Sequence, residues 1–290
     1  MLRRYYVFMN DVIQLLAQLV EIDSINPELV AGGAGEDGIA QFIGHWLEKA
    51  GLDVHLDEVR PGRPNVIAVA HGTAAQGAGA QGAGGGRTLL LNGHIDTVGV
   101  AGMAQPHQPR IEHGRMYGRG AYDMKAGVAA CMVAVAEAAT KKLRGDVIFT
   151  AVIDEEFAGE GTLDVARRYQ ADAAIVAEPT EMNLVVAHKG FVWLEIETHG
   201  VAAHGSRPEL GVDAIANLIK HHATAIAGRA PLVVGAPFWT DAASLSQAGI
   251  PAVLFGPIGA GAHAVEEWVD LESVRQSAAI YLAVAEAFCR

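Results

Sequence analysis

The chain has 290 residues, of which 51% are apolar and 19% are charged, so it can bury a packed core and is not of the disordered class. Its formal net charge of −12 at pH 7 argues against a surface that binds nucleic acid or anionic membranes. Two cysteines are too few to indicate a disulfide framework or a thiolate metal site.

We expect neither a secretory signal nor a membrane span. Residues 1–12 include basic side chains but no long apolar region and no small-residue cleavage site. The alanine-rich residues 127–139 are too few and too often interrupted to span a bilayer. The sequence therefore predicts a soluble, cytoplasmic protein.

The apolar pattern alternates between helices and strands along most of the chain. Apolar side chains recur at helical spacing in residues 11–20 and again in residues 39–50, where Gly51 follows at the position that ends a helix. Later strands and helices alternate, which is typical of a sheet with helices on both faces. The predicted strands are 65–70, 88–95, 147–153, 174–178 and 252–255, and the later predicted helices are 123–140, 161–169, 211–227 and 271–287.

Two segments interrupt this pattern. Residues 72–87 are a glycine, alanine and glutamine stretch that has little surface to bury, and we interpret them as a surface hairpin loop. Residues 191–198 alternate apolar and polar side chains, as a half-buried strand of a second sheet does. The prediction is a discontinuous α/β domain, residues 1–186 and 231–290, with an insertion at 187–230.

Three predicted strands end in acidic or imidazole side chains. His94 and Asp96 end one strand, Glu155 and Glu156 follow the next, and Glu178 ends a third. Open α/β sheets bind ligands at the carboxyl ends of their strands, so we expect these side chains to share one edge. Imidazole nitrogen and carboxylate oxygen are the ligands that Zn²⁺ accepts.

Each of these motifs also has an ordinary explanation when it is taken alone. The pair His94 and Asp96 could form a capped surface turn, Asp123 could cap a helix, and His263 could be a loop residue. The adjacent glutamates are harder to explain in this way, because two carboxylates at a buried edge repel unless cations or a proton intervene. Together, two histidines and four carboxylates are enough to hold two divalent ions, with one carboxylate between them.

Six stretches carry a family resemblance that covers nearly the whole chain. They are, in order, NGHIDTV, GRGAYDMKAG, DEEFAGEGT, AEPT, GVAAHGSRPELG and GAGAHAVEEWV. They resemble the co-catalytic zinc deacylase and peptidase family, which includes acetylornithine deacetylase, succinyl-diaminopimelate desuccinylase, aminoacylase and the glutamate carboxypeptidases. The resemblance implies an α/β fold, a three-layer α/β/α zinc-peptidase-like catalytic domain with an α+β lid insertion.

The resemblance also implies a ligand set for two divalent ions, zinc first and cobalt or manganese as alternatives. His94 and Glu178 would bind one ion, Glu156 and His263 would bind the other, and Asp123 would bridge both.

Three further residues receive catalytic roles from the resemblance. Asp96 would orient His94, Glu155 would be the general base and proton shuttle, and His204 would reach into the partner subunit's site to steady the oxyanion. The family also implies a cis peptide bond between Asp123 and Met124.

The lid is shorter than the resemblance implies. A βαββαβ lid needs two motifs of ~30 residues each, but only 44 residues run from His188 to Pro231 inclusive. Lys189, Arg207 and Thr240 are the remaining candidates for contacts with a substrate. An unpaired strand at 191–198 would favour a two-fold homodimer through this strand and the 211–227 helix.

Three functions stay open at this point. The first is a metal-dependent amidohydrolase for N-acyl amino acids, similar to acetylornithine deacetylase, with Glu155 as its base. The second is an open-cleft di-zinc aminopeptidase, dipeptidase or carboxypeptidase. The third is a non-catalytic metal-binding relative, against which stands the presence of a base that metal binding alone does not need.

Overall fold

A mixed sheet of eight strands lies at the centre of the fold. The computed structural model describes residues 2–73, 86–188, 214–236 and 238–290. The side chains of residues 2–11, 188 and 214–217 are not described. The strands are β1 (Asp53–Arg60), β2 (Arg63–Ala70), β3 (Leu89–His94), β4 (Arg110–Glu112), β5 (Arg115–Tyr117), β6 (Val147–Val152), β7 (Ala173–Val176), β8 (Leu184–His188), β9 (Val233–Ala236), β10 (Ala252–Leu254), β11 (Gly259–Ala260) and β12 (Trp268–Asp270). The helices are α1 (Leu2–Glu21), α2 (Asp37–Lys49), α3 (Lys125–Ala139), α4 (Glu160–Arg168), α5 (Ala214–Ala227), α6 (Ala242–Gln247) and α7 (Leu271–Phe288). The large sheet has the order β1-β2-β6-β3-β7-β10-β8-β9, and a small sheet has the order β11-β12-β5-β4.

The middle of the large sheet is parallel and fully buried. β3 lies parallel to both β6 and β7, and β7 lies parallel to β10. Every residue of β3, β6 and β7 is buried, which explains why their sequences are nearly continuous apolar runs. Because these strands are parallel, their carboxyl ends meet at one edge of the sheet.

Helices cover both faces of the sheet. On one face, side chains of α1, α2, α3, α5 and α7 form a single apolar cluster with one set of strand residues. On the other face, Val165 of α4 and Leu245 of α6 pack with the alternate set, such as Ile67 and Leu90. The predicted α/β class is therefore confirmed, with the three layers that the family resemblance implied.

The helix α3 is buried all round, and this explains its alanine-rich sequence. Gly127 lets this helix approach the end of β7, since a Cβ atom there would lie 2.1 Å from the carbonyl oxygen of Ala177. The start of α3 is thereby held beside the edge where β7 ends. Among the helices that the structure describes, none is long and apolar enough to cross a membrane.

The structure contains two features that the sequence pattern missed. β1 is an edge strand, and its Val54 and Leu56 side chains lie near Gly44 of α2. Most of its other residues are exposed, so its sequence has no clear apolar run. The strands of the small sheet have only two or three residues each, too few for a period to show.

The described strands next to the predicted insertion, β8 and β9, lie at one edge of the large sheet. β8 ends at His188 and pairs with β9. Ile219 and Ala223 of α5 belong to the same apolar cluster as α7. The predicted strand at 191–198 and most of the loop at 72–87 lie outside the described residues, and the domain division stays a prediction.

Both cysteines are buried free thiols, which gives a test of the packing around α3 and α7. Burial raises the pKa of the Cys131 thiol and raises that of Cys289 to about 12. Because the thiolate is the reactive form, we expect neither to react with Ellman's reagent at neutral pH in the folded protein, and both to react in guanidinium chloride. Rapid labelling of the folded protein would show instead that the end of α7 opens readily.

Candidate metal centre

The five predicted ligands converge at the carboxyl edge of β3, β6 and β7. The closest ligand atoms of His94, Asp123 and Glu178 all lie within 4.8 Å of one another. The same holds for Asp123, Glu156 and His263. His94 is the last residue of β3, whereas His263 comes from the loop after β11 and has a left-handed φ of 63°.

Asp123 lies between the two groups. Its Oδ1 is 3.2 Å from Nε2 of His94, and its Oδ2 is 3.3 Å from Nε2 of His263. Nε2 of His263 is also 3.0 Å from Oε2 of Glu156. The peptide bond between Asp123 and Met124 is cis, as the resemblance implied. Each oxygen of this one carboxylate therefore faces a different histidine.

The donor set fits two divalent cations. Two imidazoles and three carboxylates are ligands of the kind that Zn²⁺ accepts. Oε1 of Glu156 is buried and has no hydrogen-bond partner, which is costly for a carboxylate oxygen unless a cation faces it. His263 lies against both Asp123 and Glu156. One imidazole carries at most a single positive charge, which offsets only part of the negative charge of the two carboxylates.

The pKa values show how strongly these groups act on one another. Burial, followed by the charge of Glu178, raises the pKa of Glu155 well above its ordinary range, and burial does the same to the pKa of Glu178. Burial alone would lower the pKa of His94, but its contacts with Asp123 and Asp96 raise it well above the ordinary value. Such an excess of carboxylates at a buried edge is stable only with added positive charge.

Asp96 does more than orient His94. Nδ1 of His94 lies 3.0 Å from the carbonyl oxygen of Asp96 and 3.5 Å from its Oδ1, which leaves Nε2 of the imidazole to face the cluster. The Asp96 carboxylate also accepts hydrogen bonds from the backbone N–H groups of Glu155, at 3.1 Å, and Glu156, at 3.2 Å. It therefore positions the turn that carries both glutamates.

A buried network behind this turn was not predicted. Nδ2 of Asn26 donates to Oδ2 of Asp96 at 2.8 Å and to Oδ1 of Asp154 at 3.1 Å. Nη2 of Arg63 donates to the same Oδ1 of Asp154 at 3.1 Å, and Arg63 also makes a bidentate pair with Glu36 at 2.7 and 2.6 Å. Asp154 has a left-handed φ of 69°, so this network holds a strained residue directly before Glu155.

Glu267 holds the segment that presents Asp123. Its Oε1 accepts from the backbone N–H groups of Tyr122, at 2.8 Å, and Asp123, at 3.0 Å. Its Oε2 accepts from the N–H of Gly120, at 3.1 Å, and from Nη1 of Arg119, at 2.6 Å. The motif GAGAHAVEEWV contains Glu267, but only the folded structure shows what it does.

Replacing Glu267 with glutamine should weaken the binding of divalent ions by about 10–100-fold. The glutamine amide would direct an NH₂ group at N–H donors and so disturb the backbone of Asp123. A zinc titration against a competing chelator measures this effect. The neighbouring exposed Glu266→Gln is the matched control and should bind ions like the wild type. Equal affinities in all three proteins would show that Glu267 does not position Asp123.

The predicted substrate contacts are placed only in part. Thr240 is fully buried, its Oγ1 has no hydrogen-bond partner, and it does not line the cavity beside the cluster. Lys189, Arg207 and His204 lie outside the described residues. Contacts of these four residues with a substrate or a partner subunit stay predictions.

A cavity of about 380 Å³ opens beside the ligand cluster. Glu155 lies in its wall, and Oε2 of this residue is 3.9 Å from Nε2 of His94. Glu155 belongs to neither of the two ligand groups. The remaining lining consists of the other acidic residues, His263 and several apolar side chains.

An α/β sheet with a cluster of histidines and carboxylates at its carboxyl edge is the arrangement of a metal-dependent α/β hydrolase. The chain belongs to peptidase family M20/M25/M40, a family of metal-dependent amidohydrolases and peptidases, whose model matches residues 90–287. The family resemblance drawn from the six motifs is thereby confirmed.

Individual relatives differ in what they act on. N-formyl-4-amino-5-aminomethyl-2-methylpyrimidine deformylase of Bacillus subtilis is 31% identical over 207 residues, which are 68% of this chain and 46% of that protein. Acetylornithine deacetylase of Proteus mirabilis is 30% identical over 210 residues, 70% of this chain and 51% of that protein. The chain thus spans about half the length of the curated relatives it matches.

Solved structures of peptidases share the fold. Aminopeptidase PepT of Bacillus cereus superposes with a TM-score of 0.72 over 97% of this chain and 99% of that chain, at 16% sequence identity. At this identity the likeness establishes the fold alone.

Proposed function

We propose that the protein is a metal-dependent amidohydrolase that acts on N-acyl amino acids and uses two divalent ions, zinc as the first choice and cobalt or manganese as alternatives. The observation that carries this proposal is the position of Glu155. It is a carboxylate in the wall of the cavity whose side chain is only 11% exposed and lies 3.9 Å from His94, yet neither ligand group includes it. Metal binding alone would not need such a residue, whereas hydrolysis needs a base there.

The relatives support the kind of bond. A deformylase and a deacetylase, both matched over more than two thirds of this chain, are named for removing small acyl groups from nitrogen. The chain covers about half of each, so the substrate itself is our proposal.

The ligand residues would divide as the family resemblance implies. His94 and Glu178 would hold one ion, Glu156 and His263 the other, and Asp123 would lie between them. Bound ions would supply Lewis acidity that polarises the amide carbonyl and acidifies the attacking water.

The protein's own residues would then move the proton. Glu155 accepts a proton from the attacking water and delivers it to the leaving amine nitrogen. Asp96 holds the backbone of Glu155 at 3.1 Å and so fixes the base relative to His94. We also propose that residues 187–230 form a shortened lid, that Lys189, Arg207 and Thr240 contact substrate, and that a homodimer brings His204 to the partner subunit's oxyanion.

One observation favours a second candidate, an aminopeptidase or dipeptidase. Among the described residues that line the cavity, none is lysine or arginine, so a substrate carboxylate has no described ion partner there. A peptide that is bound through its free amino group would not need one.

The test is a substrate panel combined with metal analysis. We expect N-acetyl amino acids, including N-acetyl-L-ornithine, to be hydrolysed, with activity lost on chelation and restored by zinc, cobalt or manganese. Hydrolysis of aminoacyl p-nitroanilides alone would favour the second candidate. Retention of two ions per chain without hydrolysis of any substrate would leave a non-catalytic metal-binding relative.

A further inference from the structure

Four aromatic residues line the cavity beside the ligand cluster. They are Tyr122, Phe157, Phe238 and Trp239, and we call them the aromatic wall. Aromatic residues make up 6% of the whole chain but four of the eleven residues that line this cavity. The lining of the cavity therefore combines acidic residues with an unusually large share of aromatic ones.

The aromatic wall is fixed relative to Glu155. Phe157 follows Glu155 by two residues in the same turn, and the N–H of Gly159 closes that turn on the carbonyl oxygen of Asp154 at 2.6 Å. The indole of Trp239 lies directly on Gly159, since a Cβ atom at that glycine would be 2.6 Å from the nearest ring carbon. Phe157 is thus part of the turn that carries the proposed base, and Trp239 packs against that turn.

The aromatic wall offers ring surface to the cavity. The hydroxyl of Tyr122 donates to Oε1 of Glu181 at 2.7 Å, so its one donor proton is already used. Phe238 is 45% exposed, which leaves a large apolar surface open where a bound group would cover it. Concave sites lined by aromatic rings gain affinity by burying apolar surface and by stacking on flat groups.

The position of the wall indicates which part of a substrate it contacts. Glu155 would pass its proton to the leaving amine, so the amine half of the substrate lies near Glu155. Phe157 belongs to the turn that carries Glu155, and the ring of Trp239 packs against Gly159 at its end. In an N-acyl amino acid the amine half carries the amino-acid side chain, which would therefore meet the rings.

We infer that the protein prefers N-acyl amino acids with aromatic side chains, such as N-acetyl-L-phenylalanine, over those with a cationic side chain such as ornithine. This inference rests on the proposed amidohydrolase function. An aromatic side chain would bury the open face of Phe238, whereas an ammonium group would give up hydration beside the rings and recover only part of it through cation–π contacts.

The test measures binding and so does not require turnover. Metal-replete Glu155→Gln protein is titrated by calorimetry with N-acetyl-L-phenylalanine, N-acetyl-L-alanine and N-acetyl-L-ornithine. We expect the phenylalanine compound to bind about 10–100-fold more tightly than the alanine compound, the effect of burying one ring. The ornithine compound should bind no more tightly than the alanine compound.

Variants of the wall locate the preference. Phe238→Ala in the same background should remove most of the preference for the phenylalanine compound and leave the alanine compound unchanged. Phe157→Leu, which keeps an apolar side chain, should reduce the preference less. Ile111→Ala, which truncates a 53% exposed apolar residue on the small sheet, is the matched control and should bind all three ligands as the parent does.

Two failures are distinguishable. Equal affinities for the phenylalanine and alanine compounds, tighter binding of the ornithine compound, or no binding of any of the three would overturn the inference. A clear preference in binding, together with a wild-type protein that hydrolyses no N-acyl amino acid, would support the aromatic wall and refute the amidohydrolase function.

Discussion

Replacing Glu155 with glutamine is expected to lower kcat by about 10²–10⁴-fold while leaving the content of divalent ions unchanged. Glutamine has the shape of glutamate but cannot accept the proton of the attacking water. The backbone N–H of Glu155 would still donate to Asp96, so the turn should keep its place. Steady-state kinetics on an N-acetyl amino acid, together with metal analysis of the same sample, measure both quantities.

Two comparisons sharpen this prediction. Asp123→Ala removes the carboxylate that faces both histidines, so it should lose ions as well as activity. Glu160→Gln changes a glutamate at the start of the neighbouring helix α4, whose partner is Arg60, and should leave both quantities unchanged. If Glu155→Gln and Asp123→Ala lost ions to the same extent, Glu155 would be a ligand and not a base.

The sequence predicts the acidic and imidazole residues at the carboxyl edge of the sheet better than it predicts the residues that hold them in place. The pattern leads to His94, Glu155, Glu156 and Glu178 because each ends or closely follows a buried parallel strand, and such strands are long apolar runs. Parallel pairing then places their carboxyl ends together without further information.

Asp123 and His263 depended on the family resemblance. Asp123 precedes a helix and His263 lies in a loop with a left-handed backbone, so no periodic pattern leads to either residue. Only the complete motifs around them indicated that they join a site formed by strands far away in the chain.

The supporting residues could not be predicted from pattern at all. Glu267 acts through backbone N–H groups of residues 120–123, and Asn26 acts through two aspartates that are 70 and 128 residues away in the chain. Their residue types are those of ordinary surface turns. A local signal is Arg63, a charged residue at the start of a strand that is buried at all but one position.

Replacing Arg63 with methionine is expected to lower the free energy of unfolding by about 3–5 kcal/mol. Arg63 makes a bidentate pair with Glu36, which is 0% exposed, and donates to Asp154, which is 1% exposed. Burial raises the pKa of both carboxyls, and this rise is offset in part by Arg63 at Glu36 and by Asn26 and Arg63 at Asp154. Removing the guanidinium leaves two buried carboxylates without their cation. Denaturant titration, followed by two probes, measures the change.

Arg60→Met is the matched control, because Arg60 is in the neighbouring strand β1 and pairs with Glu160 and Glu28 at the surface. Exposed ion pairs contribute little, so its stability should stay near that of the wild type. Arg63→Lys should fall between the two, since an ammonium cannot reproduce the bidentate pair with Glu36. Because Asp154 directly precedes Glu155, Arg63→Lys should also lower kcat more than it changes ion content. Equal stability of Arg63→Met and Arg60→Met would show that Glu36 and Asp154 do not need this cation.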